Sequence, residues 1–203
     1  MSTWMSRFNI DAQCRRKVMS VFAALYFAST VLAVGATAQA SAPTDPQIVG
    51  IVIAADDIDI NYAELAMTKA KDEKVRSFAQ QMITDHTAVQ KSVLALASTL
   101  NVTPADSPTS GSLKSQAQEM MQKLRSLKSK EFEKAYIDNE VAYHQAVIGA
   151  TKAVLIPSAQ NPDLKSALQQ ALPLFEGHLQ HAQRVQASVD GGGKAASSNM
   201  SDN

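Results

Sequence analysis

From Val75 to Leu100 apolar residues recur at steps of four and three: Val75, Ala79, Met82, Val89, Val93, Leu96 and Leu100. One polar residue, His86, sits in their midst. That spacing lines one face of a helix and marks it for burial. Two more seams follow. One is Ile137, Val141, His144, Ile148, Thr151 and Leu155; the other is Leu164, Leu168, Ala171, Phe175, His178, Ala182, Val185 and Val189. A chain with three such seams must bury them against one another, which makes it all-α and brings three of its four histidines into the interior. Aromatic residues are only 5% of the chain while Ala, Leu, Gln, Lys and Met abound, a bias towards helix. No strand alternation and no fixed repeat competes with this reading.

Punctuation residues divide the chain. Thr44 or Asp45 caps a first helix with Pro46 in its first turn, running to about Ala70. Its stripe Ile48, Val52, Ala55, Asp59, Tyr62 and Ala66 carries a carboxylate where the other seams carry histidine. After a tight Lys71-Asp72 link the second helix covers 73–100. Asn101 to Ser112 reads as a loop, and a short helix from about Leu113 to Leu127 is broken at Lys128-Ser129. A third long helix ends near Ile156, and Pro157 to Pro162 is a turn. The fourth helix, about 163–189, should kink at Pro173, and Asp190-Gly191-Gly192-Gly193 should end it. The expected architecture is a ferritin-like antiparallel four-helix bundle over 41–190. It carries an extra short helix in the long crossover between helices two and three, and a disordered tail over 191–203.

The first 40 residues read as an export signal. Arg7, Arg15, Arg16 and Lys17 precede the apolar run Val18 to Val34, and small residues allow cleavage after Ala38 or Ala40. An uncleaved anchor is the alternative, with membrane or cell-envelope association. Either way the chain is expected outside the cytoplasm, in the periplasm or outer envelope or secreted. Removing residues 1–40 takes away four basic residues and Asp11, leaving 15 basic against 18 acidic residues and a formal charge of −3. A mildly acidic domain without a basic patch is no partner for nucleic acid. Cys14, the one cysteine, lies within the signal, so the processed protein has no disulfide or thiol chemistry.

Heights along the helices bring the seam polar residues together. Antiparallel pairing about residue 71 or 72 sets His86 level with about Asp57 and within a turn of Asp59. Pairing about residue 159 sets His178 level with Glu140, one turn from His144, at ~1.5 Å of rise per residue. Imidazoles and carboxylates on facing helices suit iron, manganese, zinc or copper. The candidate ligands are therefore His86, His144, His178, Glu140 and Asp59, with Asp85 as a ligand or as the orienter of an imidazole. The rival reading is a non-catalytic envelope protein whose core histidines are purely structural. No Glu-x-x-His precedes any of the three, so a carboxylate-bridged di-iron site fits poorly. No catalytic triad, phosphate-cradling loop or His-Glu-x-x-His occurs, and no activity can be assigned.

Four blocks carry a family likeness: Ile58-Asp59-Ile60-Asn61-Tyr62-Ala63-Glu64-Leu65-Ala66; Val75 to His86, with Phe78-Ala79, Met82 and Asp85-His86; Phe132-Glu133-Lys134-Ala135-Tyr136 followed by His144; and Leu172-Pro173 followed by His178-Leu179. Over about 46–188 they resemble the exported bacterial ferritin-like family filed as domain of unknown function 4142, whose members are often labelled membrane or outer-membrane proteins. The resemblance implies a ferritin-like fold and an extracytoplasmic home, and it makes Asp85, His86, His144 and His178 recurring polar positions. It implies no activity. Members often carry Glu near positions 59 and 61, where this chain has Asp59 and Asn61.

Overall fold

The computed structural model describes residues 41–198, with side chains to Gly191. Residues 1–40, expected from the sequence to be an export signal, and the last five residues of the tail lie outside that range. All regular structure among the described residues is helical. It comprises α1 (Asp45–Lys69), α2 (Glu73–Thr99), α3 (Pro108–Ser126), α4 (Ser129–Ala150), a π-helical turn (Thr151–Leu155), the single turn α5 (Ile156–Ser158) and α6 (Pro162–Ser198).

Helix ends follow local chemistry. Thr44 precedes α1, and its N–H donates to Gln47 Oε1 at 3.0 Å, with Pro46 in the first turn. Asp45 is left to accept the Gln160 and Asn161 N–H groups, both at 2.9 Å, which ties the start of α1 to the turn before α6. Asp72 caps α2 by accepting from the Lys74 and Val75 amides. Asn101, in the left-handed region at φ 54°, ends it. The Glu133 carboxylate, buried on α4, accepts the Lys71 and Asp72 N–H groups at 2.6 and 2.9 Å, so the α1–α2 link is fastened from across the core.

Three boundaries differ from the sequence reading. The crossover helix starts at Pro108 rather than Leu113, because Ser107 accepts the Ser110 N–H and Pro108 fits the first turn. The third long helix does not reach Ile156 as α-helix. Pro157 cannot donate to Ala153, and its ring would crowd that carbonyl. The chain instead widens to π winding, with Ile156 N–H bonded to Thr151 O. Finally, α6 does not end at Asp190 but runs through the three glycines to Ser198. No glycine among the described residues takes the positive φ that stops a helix, and extending a formed helix adds a bond for each residue fixed.

Helices α1 and α2 form one hairpin, and α4 packs against α6. The pairs meet through α1 on α4 and α2 on α6, while α3 lies over α1 and α4. The buried apolar side chains form two clusters. One, around Phe78, Met82, Phe132, Tyr136 and Ile137, fills the end near the α1–α2 link. The other, around Ile48, Ile51, Ala97, Leu155, Leu164 and Leu168, fills the end near the π turn. The layer between them is polar. No helix among the described residues is long and apolar enough to cross a membrane.

Candidate metal centre

Five of the six residues expected to share a site do converge. Asp59 from α1, His86 from α2, Glu140 and His144 from α4, and His178 from α6 are all at most 4% exposed. The imidazole rings stand 5.7 Å (His86–His144), 5.2 Å (His86–His178) and 5.4 Å (His144–His178) apart, centre to centre. Potential ligand atoms of His86, His144 and His178 lie within 4.8 Å of one another, as do those of Asp59, Glu140 and His144. Asp85 does not point in. It sits at the edge of the layer, where its Oδ2 accepts from His178 Nε2 at 2.9 Å. Successive residues on a helix point about 100° apart, so Asp85 faces α6 while His86 faces the interior. Of the two roles the sequence left open for Asp85, ligand or orienter of an imidazole, this position fits the orienter, and of His178 rather than of its neighbour His86.

Each imidazole is held by one nitrogen and aimed by the other. His86 Nδ1 meets Asp56 Oδ1 at 2.8 Å, His144 Nδ1 meets the Glu140 carbonyl at 3.0 Å, and His178 Nε2 meets Asp85. These acceptors fix the tautomers, because each held nitrogen must carry the hydrogen. The remaining nitrogens, His86 Nε2, His144 Nε2 and His178 Nδ1, are buried and make no hydrogen bond. Both carboxylate oxygens of Asp59 and both of Glu140 are likewise unbonded. Asp59 Oδ2 does approach His86 Nε2 to 3.1 Å and His144 Nε2 to 3.5 Å, but without hydrogen-bond alignment. Burying so many unmatched polar atoms costs about 1–3 kcal/mol each. A fold keeps such a cluster only where something compensates.

Electrostatics sharpen the picture. Burial raises the Asp59 carboxyl to about 6, His86 opposing the rise and Asp56 reinforcing it. Burial pushes Glu140 well above the usual carboxylate range, and neighbouring Asp59 pushes it further. Burial lowers His144 to about 3, with His86 adding to the drop, and burial likewise lowers His178. His86 alone goes up, since Asp59 and Asp56 together outweigh its burial. Burial thus favours the neutral forms of Glu140, His144 and His178, while Asp59 and Asp56 favour the protonated form of His86.

Several partners went unnoticed as such in the sequence. Asp56, off the seam picked out by apolar spacing, is the buried partner of His86, one turn before Asp59. Phe175 stacks on His86 at 5.8 Å with planes 3° apart, three residues before His178 and so on the same face. Tyr136 is fully buried one turn before Glu140, and Tyr143 donates to the Ala55 carbonyl at 2.9 Å. Glu64 and His181, each close in sequence to a residue of the centre, lie outside it. Glu64 is exposed, and His181 bonds Gln81 at 2.9 Å nearer the surface. Gln81 also donates to Asp85 at 3.2 Å, so a chain of hydrogen-bonding groups runs from His181 to His178.

The model of the Domain of unknown function (DUF4142) matches residues 30–185, most of the chain. The protein belongs to the DUF4142 family. No curated protein matches the chain. Among solved structures, this DUF4142 chain is similar to a DUF305 protein of Streptomyces coelicolor that carries the name of a secreted protein. Identity is 12% and the TM-score 0.59, over 70% of this chain and 91% of that one. A DUF305 fragment from Deinococcus radiodurans is similar at 17% identity and TM-score 0.58, over 72% and 99%. At such identities the likeness concerns the fold alone.

Proposed function

We propose that this DUF4142 protein is an exported, ferritin-like four-helix bundle that binds a transition-metal ion in its core, in metal handling or in defence against oxidative or envelope stress. One observation carries the reading: three imidazoles, each anchored through its outer nitrogen, present unbonded inner nitrogens beside the unbonded carboxylates of Asp59 and Glu140. Outer-partner anchoring of this kind is what metal-binding histidines need. Bonds of about 2.0–2.2 Å place the ligands of one ion ~3–4 Å apart, so donors within 4.8 Å need only a small inward shift. A set of imidazoles and carboxylates suits iron, manganese, zinc or copper. Glu140 is the best-placed second carboxylate, with His144 common to both groups of donors. Export rests on the N-terminal signal reading. A mildly acidic surface makes nucleic acid an unsuitable partner.

The test is metal analysis of reconstituted protein beside His86→Ala, His144→Ala and His178→Ala. Stoichiometric metal in the parent and its loss in the variants supports the reading; a parent that stays metal-free after reconstitution overturns it. The placement of His86 between Asp56 and Asp59 favours a second reading, a structural ion pair in a non-catalytic envelope protein. On that reading the melting temperature does not respond to any added metal.

A further inference from the structure

A cavity of about 340 Å³ runs from the polar layer towards the π turn, between the two helix pairs. Its walls are apolar: Ile51, Val93, Val147, Leu164, Leu168 and Phe175. Small residues line it, Ala55 on α1 and Ala167 and Ala171 on α6, and so does Val154 of the π turn, which is 44% exposed. The inner end is closed by Asp56, Asp59, His86 and His144, whose unbonded atoms were described above. The outer end reaches exposed Thr109 and Gln116. An apolar pocket with a few convergent polar groups at one end is the usual form of a small-molecule site.

We propose that this cavity binds a small neutral apolar molecule bearing one hydroxyl group, with the hydroxyl at Asp59. At ~30 Å³ for each water-sized group the space suits roughly ten to twelve non-hydrogen atoms. The unbonded atoms select the end group. Both Asp59 oxygens lie buried without a donor at the inner end, so the ligand must bring a hydrogen to donate, which a carboxylate lacks. An ammonium would suit the acids but not an ion held by the imidazoles. A hydroxyl donates to a carboxylate oxygen and still offers a lone pair, so it suits the centre with or without metal. The lone-pair role rests on the metal-centre reading; the hydrogen-bonding role does not.

Displacement of a small neutral dye that fits this volume, 1-aminonaphthalene, from the full chain tests this, with nonan-1-ol, nonanoate and nonylammonium as competitors, on metal-free and zinc- or manganese-loaded protein. The expected result is one-to-one displacement by nonan-1-ol, with nonanoate at least about ten-fold weaker on the metal-free protein and nonylammonium weaker on the metal-loaded protein. Ala171→Phe and, independently, Val147→Trp should fill the cavity and weaken both dye and alcohol about ten-fold, with helical content unchanged. Equal binding of nonanoate and nonan-1-ol to the metal-free protein, or unaltered binding by folded filling variants, overturns the proposal. So does dye uptake only after residues 1–40 are cleaved away, which would make the chain's own leader the occupant. If no metal binds but the metal-free arm behaves as stated, the metal reading fails and this one stands.

Discussion

Replacing Asp59 by Asn should stabilise the metal-free protein above pH 6 while destroying its metal site. Asp59 is fully buried and its carboxyl is raised from 3.8 to about 6. A group that holds its proton more tightly when folded favours folding most below the unfolded value, and that share is lost as pH rises through the folded one. Above pH 6 the loss is complete, about 3 kcal/mol. Removing one partner of a buried pair ordinarily costs ~3–5 kcal/mol by stranding the other charge. Here Asp56 remains on His86 at 2.8 Å, so the cation keeps a counter-ion and the excess acid is what disappears. His144 runs the opposite way. It is lowered from 6.5 to about 3, so its share of stability is present above 6.5 and lost as pH falls towards 3. Between about pH 4 and 6 the two slopes oppose each other in the parent, and Asp59→Asn should unmask the His144 slope. Urea denaturation with chelator at pH 4, 6 and 8 measures this. The variant's advantage should grow from near zero to about 3 kcal/mol, or roughly 6–12 °C in Tm, and added metal should no longer raise its melting temperature. A variant less stable than the parent at pH 8, or a difference independent of pH, refutes the reasoning.

Other perturbations test the frame around the centre. Asp85→Asn weakens the anchor of His178 without removing an inner donor, so metal affinity should fall about 10–100-fold by chelator competition while stoichiometry is kept. Lys69 Nζ donates to the carbonyls of Leu124, Arg125 and Leu127 at 3.0, 2.7 and 2.7 Å, closing the end of α3. Lys69→Met should cost about 1–3 kcal/mol in urea denaturation. At Gly50 an added Cβ would meet the Ala105 carbonyl oxygen at 2.1 Å, so Gly50→Ala must push the α2–α3 loop away and strain the Ala105 N–H to Pro46 O bond. Faster amide exchange at Ala105 and a loss of about 1–3 kcal/mol should follow.

The all-helical character, the start of the first helix at Thr44-Asp45, the break at Lys128-Ser129 and the meeting of His86, His144, His178, Asp59 and Glu140 were legible in the chain. Each follows from a local rule: apolar spacing fixes the buried face, capping chemistry fixes the ends, and a constant rise fixes the height. Two helix ends were misread for local reasons too, since Pro108 starts a helix as readily as it breaks one, and glycine stops a helix only where it turns left-handed.

What the chain alone could not decide was rotation and partnership. Height puts Asp56, Asp57 and Asp59 equally near His86, but only packing chose Asp56 for Nδ1 and left Asp57 exposed. Asp85 adjoins His86 in sequence and serves His178 in space, because a neighbour's direction depends on which helix lies beside it. The cavity belongs to the same class. Alanines at seam positions read as good helix and good core, and only the packing of the helices around the space beside the polar layer turns them into walls. Spacing along one helix is a property of the sequence; what stands opposite is a property of the fold.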